Sequence, residues 1–298
     1  MEFLKKGSSN GMRDDNTSER RFYIFGNNIT HSLSPALHNA GFKGCGLPHF
    51  YSIKESPNVD NTVEEIIARP DFGGASVTFP HKLQIARLLD SLNEGAVKVG
   101  AVNTILVRQG EHGQRLLVGD NTDWLGIQKC IHKANLSELP SSPALVLGAG
   151  GAARAACYAL QEDGYPEIFV VNRTRETAEK MASKFPKVKF HVYETLGEAV
   201  SSSSRPFRVV VACVPADDLG EDKVPSALFS EAKFGVLVEM AYRPLVTGMM
   251  KVASRYQGWR IYKGIDVLEE QAYSQFELWT GRPAPTEVMR EAMLAQLR

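Results

Sequence analysis

The chain has 298 residues, of which 43% are hydrophobic and 23% charged, and its 34 Lys+Arg balance 34 Asp+Glu. Zero net charge removes any broad electrostatic case for a nucleic-acid partner or an anionic membrane surface. No apolar run approaches the ~20 residues of a membrane span, and Met1 to Arg20 lacks the apolar centre of a secretory signal.

Those first residues, 1–20, are expected to form a disordered tail. Ordered structure is expected from Arg21-Phe22-Tyr23-Ile24-Phe25-Gly26, a strand closed by a turn. Pro35 suits a first helical turn with Ser34 as its N-cap, and Gly44 or Gly46 ends that helix. A strand at Phe50–Ile53, a helix around Val63–Ala68 and a strand at Gly74–Thr78 follow. Leu83, Ala86, Leu89 and Leu92 then keep helical spacing, which predicts a helix from Lys82. Gly100–Val107 reads as a strand paired with Leu116–Val118, and Gly119–Trp124 as a loop before a helix.

Leu139-Pro140-Ser141-Ser142-Pro143 marks a break. Beyond it, Ala144-Leu145-Val146-Leu147 leads into Gly148-Ala149-Gly150-Gly151-Ala152-Ala153-Arg154, a buried strand, a glycine-rich turn and a helix start. Such a turn gathers backbone N–H groups and a helix N-terminus at one point, which suits a pyrophosphate. The next strand, Glu167–Val171, ends in Asn172-Arg173-Thr174-Arg175, where a dinucleotide fold places the residues that read the adenosine ribose. Further strands at Val188–Val192, Phe207–Cys213 and Gly235–Met240 alternate with helical or loop sequence, and two helices near Val267–Thr280 and Thr286–Leu297 close the chain. The fold class is therefore α/β, two α/β domains with a cleft between them, the second a Rossmann-like doubly wound parallel sheet.

Polar residues cluster at predicted strand and helix ends in the first domain: Ser32 and Ser34, Thr78 and Lys82, Asn103, and Asp123. Together they suit a small polyhydroxylated ligand at the carboxyl ends of the strands. Lys82, at a predicted helix start whose dipole disfavours an ammonium, suits a general base, with Asp123 to hold it and share the proton. His31 and His38 read as packing or capping residues, His81 as pointing aside, and Trp279 as core. The 7 histidines show no H-x-x-x-H spacing and Cys45, Cys130, Cys157 and Cys213 no metal-ligand spacing, so no metal is expected. The thiols read as reduced and the protein as cytoplasmic.

Ser32-Leu33-Ser34-Pro35, Val77-Thr78-Phe79-Pro80-His81-Lys82, Gly100-Ala101-Val102-Asn103-Thr104 and Asn121-Thr122-Asp123 resemble, in order, the substrate motifs of shikimate dehydrogenases. Gly148–Arg154 and Asn172-Arg173-Thr174 resemble that family's cofactor motifs, and Gln271 within Leu268–Gly281 its C-terminal substrate motif. The resemblance covers roughly residues 21–298, and Glu239–Pro244 with Trp279-Thr280-Gly281 looks most like fungal members. These include the shikimate dehydrogenase domain of the pentafunctional AROM polypeptide and free-standing quinate dehydrogenases. With its own start and tail, the chain is expected to be of the free-standing quinate/shikimate type.

The resemblance implies reversible hydride transfer between a ring hydroxyl of quinate or shikimate and a nicotinamide cofactor, giving 3-dehydroquinate or 3-dehydroshikimate. It implies a role in quinate catabolism or aromatic amino acid biosynthesis. It also implies a substrate-binding domain of residues 21–122 and 268–298 and a dinucleotide-binding domain of residues 123–267. Lys82 and Asp123 would be the catalytic pair; Ser32 and Ser34 would bind the carboxylate; Thr78, Asn103 and Gln271 would bind ring hydroxyls; Tyr242 would touch the substrate from the nucleotide side. The cofactor side comprises Gly148, Gly150, Gly151, Ala152, Asn172, Arg173, Thr174, Arg175 and Gly264.

Two departures stand out. Where members carry Asn-Thr-(Thr/Ser)-Pro and a later Gly-Met, this chain has Ala212-Cys213-Val214-Pro215-Ala216-Asp217-Asp218-Leu219-Gly220, so those nicotinamide contacts do not carry over. Glu239 stands where an aspartate is usual and receives no role. Asn172–Arg175 holds two arginines and no acid, which favours NADP, while the fungal quinate relatives favour NAD. Two other readings compete: a non-catalytic quinate-pathway sensor or repressor, against which the Lys82/Asp123 pair argues, and a dehydrogenase for a folate or amino acid, against which the paired serines argue.

Overall fold

The structure, a computed structural model, describes residues 18–136 and 139–297. The expected tail thus falls mainly outside the described residues. Arg20 already belongs to the fold, its carbonyl accepting from the Phe50 N–H at 3.0 Å.

Two six-stranded sheets organise the chain. The first contains β1 (Arg21–Gly26), β2 (Phe50–Glu55), β3 (Phe72–Val77), β4 (Ser91–Leu92), β5 (Thr104–Gln109) and β6 (Arg115–Asp120), in the order β2-β1-β3-β5-β6-β4. Here β1 runs parallel to β2 and β3, and β5 runs antiparallel to β3 and β6. The second contains β7 (Ala144–Leu147), β8 (Glu167–Val171), β9 (Lys189–Tyr193), β10 (Val209–Ala212), β11 (Gly235–Glu239) and β12 (Trp259–Tyr262). Its order is β12-β11-β10-β7-β8-β9 and every pairing is parallel. Strands β7, β10 and β11 are buried at every residue, because helices cover both faces of such a sheet, and their sequences run apolar without alternation. This is the strand order of dinucleotide-binding sheets, whose ligand crevice opens where the order reverses, between β7 and β10.

The helices are α1 (Ser34–Gly44), α2 (Asn61–Ala68), α3 (Glu94–Val99), α4 (Asp123–Lys133), α5 (Gly151–Glu162), α6 (Arg175–Ala182), α7 (Leu196–Ser202), α8 (Ala227–Ser230), α9 (Gly248–Ala253), α10 (Gly264–Thr280) and α11 (Thr286–Ala295). Helix α10 joins the two halves. Its Ala272, Tyr273, Phe276 and Trp279 pack with Phe22, Leu37 and Phe42 of the first half and with Met289 of α11. Its Val267 packs with Ile127, Val146 and Ala153 of the second. Trp279 is core, as expected, and its indole N–H donates to the Ile105 carbonyl at 3.0 Å.

Four local expectations are corrected. No α-helix starts at Lys82; two short 3₁₀ turns, His81–Leu83 and Ile85–Leu88, lead into β4 at Leu92. The Lys82 carbonyl accepts from Val102 N–H at 2.8 Å, so the bond an α-helix would make there goes to another segment. Ser34 is the first residue of α1 and not its cap; the Ser32 hydroxyl accepts from the Ser34 N–H at 3.3 Å. β5 starts at Thr104, because Gly100 ends α3 in the left-handed region at φ 68° and the chain turns inward through Asn103. Finally, β12 escaped the reading: it is a four-residue edge strand, paired through β11 alone.

Trp279→Phe removes the indole donor to the Ile105 carbonyl. We expect the unfolding temperature, followed by calorimetry, to fall by about 3–10 °C; an unchanged value would show that this tie contributes nothing.

Candidate active site

Lys82 and Asp123 meet where the two halves face each other. The Lys82 Nζ lies 2.6 Å from the Asp123 Oδ2, with the side chains 17% and 8% exposed. Asp123 is the first residue of α4, at the positive end of that helix's dipole, a favourable place for a carboxylate. The dipole argument made for Lys82 from sequence therefore belongs to Asp123, since Lys82 occupies only a 3₁₀ turn.

Asn103 is the hub behind the pair. Its amide nitrogen donates to Asp123 Oδ1 at 2.9 Å and lies within reach of Thr122 Oγ1 at 3.0 Å and Gln271 Oε1 at 3.2 Å. Its carbonyl oxygen accepts from the Thr122 N–H and the Thr104 hydroxyl, each at 2.7 Å. Asn121 fastens the same corner, donating to the Ala101 carbonyl at 2.9 Å and accepting from the Asp123 N–H at 3.0 Å.

A buried chain of hydrogen bonds connects this hub to the serines. Gln275 donates to the Asn103 carbonyl at 3.2 Å and to Thr104 Oγ1 at 2.9 Å, and accepts from the Ser76 hydroxyl at 2.9 Å. The Tyr51 hydroxyl donates to Ser76 at 2.6 Å and lies near Ser34. Burial pushes the Tyr51 phenol well above its ordinary range, so it stays a neutral donor. Tyr242 reaches across from the second half to lie beside Ser32. Thr78 sits at the end of β3, its N–H bonded to the Phe25 carbonyl at 2.9 Å.

Gln275, Tyr51, Ser76, Thr104 and Thr122 were not singled out by sequence reasoning. Gln275 carried a usable signal, because it stands one helical turn from Gln271 on α10. Tyr51 and Ser76 carried none, since their partners lie far away in the chain. His38 is fully buried, stacked on Tyr51 at 4.7 Å, and burial pushes its imidazole down to about 3. His81 is likewise buried, so both read as packing residues. His31 lies 6.1 Å from the Tyr242 ring, and burial together with the Arg243 charge lowers its imidazole.

The nucleotide side assembles around β7. Gly148 takes φ 104°, a left-handed value that favours glycine. Gly150 precedes α5, and nothing stands within 4 Å of where its Cβ would be, leaving room before the helix N–H groups of Gly151 and Ala152. Gly151 faces the other half: a Cβ there would meet the Lys82 Cβ and Cδ at 3.2 Å. The glycine turn thus brings a dinucleotide cradle against the lysine itself. Asn172 donates to the Thr174 carbonyl at 2.8 Å, which shapes the loop carrying the exposed Arg173 and Arg175. Gly264 is required by packing, since a Cβ there would stand 2.7 Å from the Ala241 carbonyl.

Glu239, given no role from sequence, is 3% exposed. Its carboxylate accepts from the Ala241 N–H at 3.0 Å and the Thr247 hydroxyl at 2.7 Å, bracing both ends of the loop that carries Tyr242. Among the described residues no group of three or more His, Cys, Asp or Glu is arranged to hold a metal, and no helix is long and apolar enough to cross a membrane.

A sheet with the strand order of dinucleotide-binding folds faces a buried polar cluster across an ion pair, the layout of a two-domain dehydrogenase. Residues 24–105 match the shikimate dehydrogenase substrate binding domain, residues 131–218 match shikimate/quinate 5-dehydrogenase, and residues 264–294 match the shikimate 5′-dehydrogenase C-terminal domain. The pentafunctional AROM polypeptide of Malassezia globosa is 42% identical over 273 residues, covering 90% of this chain. The quinate repressor protein of Emericella nidulans is 36% identical over 317 residues, covering 93% of it. The chain spans only 17% and 35% of these two relatives. The shikimate 5-dehydrogenase of Thermus thermophilus, solved with NADP(H) and shikimate, is 32% identical with a TM-score of 0.76, over 93% of this chain and 99% of that one. The dehydroquinate dehydratase and shikimate dehydrogenase structure from S. pombe gives a TM-score of 0.77 at 36% identity, over 93% of this chain and 53% of that one. The chain belongs to the shikimate dehydrogenase family.

Burial holds the Glu239 carboxyl above the usual carboxylate range. The folded chain then binds more protons than the unfolded chain between the two pKa values, so this group's contribution to stability falls as pH rises through that window. Glu239→Gln removes the effect. The difference in unfolding temperature, variant minus wild type, is expected to rise as the pH is raised above about 4.5; a flat difference would contradict it.

Proposed function

We propose that this family oxidoreductase interconverts a ring hydroxyl and ketone on shikimate or quinate, using a nicotinamide cofactor. The observation that carries this reading is the 2.6 Å Lys82–Asp123 pair set directly beside the glycine turn of α5. The open space before the α5 N-terminus suits a pyrophosphate, and Arg173 and Arg175 favour the 2′-phosphate of NADP over NAD. A bound nicotinamide supplies the hydride acceptor or donor.

In the oxidative direction the ring C–H bond breaks as hydride leaves, and the hydroxyl proton passes to the Lys82/Asp123 pair as the C–O bond becomes a carbonyl. Reduction returns the same proton. Asn103 holds Asp123, and Asp123 holds Lys82, so the proton acceptor needs little rearrangement when substrate arrives. Ser32 and Ser34, with Tyr242 over them, bind the substrate carboxylate. Thr78, Asn103 and Gln271 take the ring hydroxyls; Asn103 already has three acceptors for two N–H hydrogens, so a ligand oxygen bonds there by displacing one of them. Residues 21–122 with 268–298 serve as the substrate domain, and residues 123–267 hold the cofactor.

A second reading, a quinate-pathway sensor without turnover, is favoured by the 36% identity to a quinate repressor protein. It gives no reason for the buried ion pair beside the cofactor cradle. Initial rates with shikimate and quinate, each with NAD and NADP, separate the two: turnover is expected with at least one pairing, and binding without turnover would establish the sensor. Lys82→Ala is expected to lower kcat by about 10²–10⁴-fold while leaving cofactor affinity nearly unchanged. Equal losses in both would remove Lys82 from the proton step.

A further inference from the structure

The Asn172–Arg175 loop lies after β8, on one side of β7, and the Pro215–Gly220 loop lies after β10, on the other. Both therefore overhang the crevice where a dinucleotide binds. Across it, Arg173 Nη2 stands 3.6 Å from Asp218 Oδ2. The second arginine of the loop, Arg175, pairs with Glu179 at 3.5 Å on its own helix. The absence of an acid from Asn172–Arg175 is thus reversed in three dimensions: each arginine meets a carboxylate supplied from elsewhere.

The Asp218 loop is also anchored. Asp218 N–H donates to the Pro215 carbonyl at 3.0 Å, closing a 3₁₀ turn over Ala216–Asp218. Leu219 packs on the apolar cluster beneath, and Lys223 Nζ donates to the Asp218 carbonyl at 3.3 Å. A Cβ on Gly248 of α9 would stand 2.8 Å from the Leu219 carbonyl, so α9 and this loop approach backbone to backbone.

We propose that Asp218 is a cofactor-specificity residue: it occupies the Arg173 guanidinium at the ribose end of the crevice, competes with a 2′-phosphate there, and keeps the unphosphorylated dinucleotide effective. This rests on the nicotinamide-dependent reading above. An arginine that pairs with a phosphate divides its charge between that group and its carboxylate, and the carboxylate then faces a like charge at close range. An unphosphorylated ribose disturbs neither group. The two arginines favour NADP, and Asp218 limits how far that preference goes.

The test uses the full chain, with adenosine 2′,5′-bisphosphate and ADP as probes in titration calorimetry, beside KM for NADP and NAD. Asp218→Asn alters an exposed side chain and should fold normally. It is expected to tighten adenosine 2′,5′-bisphosphate about five- to tenfold, to leave ADP within about twofold, and to lower the NADP KM relative to that of NAD by a similar factor. Equal shifts for both probes, or none, would overturn the assignment. So would an equal gain from Asp217→Asn, which would reduce the effect to bulk charge. Selective binding changes in a chain that turns over neither acid would sink the dehydrogenase reading and leave Asp218 assigned. Normal turnover with unselective binding would do the reverse.

Discussion

Asn103 is the constraint on which the rest of the site depends. One amide, 2% exposed, holds the first turn of α4 through the Thr122 N–H and Asp123, and lies within hydrogen-bond reach of Gln271 on α10. It also accepts from Thr104 at the start of β5. Two segments distant in sequence, the start of α4 and α10, are therefore registered on a single side chain. Replacing a buried hub of this kind leaves several polar groups unpaired at once, and such networks are lost as units. The Lys82–Asp123 pair inherits its position from that corner.

The seam between the halves is built from small residues for a physical reason. A side chain at Gly151 would press on the Lys82 methylenes at 3.2 Å, and Ala101 stands 3.7 Å from the same point. Val99 and Ala101, from the first half of the chain, are counted in the apolar core of the second. The Lys82–Asp123 pair and the glycine turn are in this way set side by side by packing, and not by a long polar connection. Glu239 performs a comparable service on the other wall, holding the loop that carries Tyr242 toward Ser32.

Much of this was legible in the sequence because it is local. The glycine turn after a fully apolar strand, the run of buried parallel strands and the polar residues at strand ends all announce themselves within a few positions. What was not legible depends on distant partners. Helical spacing at Leu83, Ala86, Leu89 and Leu92 was overridden because the Lys82 carbonyl is taken by Val102 and Leu92 pairs in a strand. The Tyr51–Ser76–Gln275 relay joins residues up to 199 positions apart, and no window of sequence contains it. The two-arginine argument for NADP weighed one loop alone, without the acid that a second loop brings to it.

The central claim is that Lys82 and Asp123 handle the hydroxyl proton while the serines hold the carboxylate. A crystal structure of the chain with shikimate and NADP tests it most directly. The account predicts the reacting ring oxygen within about 3.2 Å of Lys82 Nζ, with the substrate carboxylate beside Ser32 and Ser34. A substrate bound the other way round, its carboxylate on Lys82 and its hydroxyls on the serines, would contradict it.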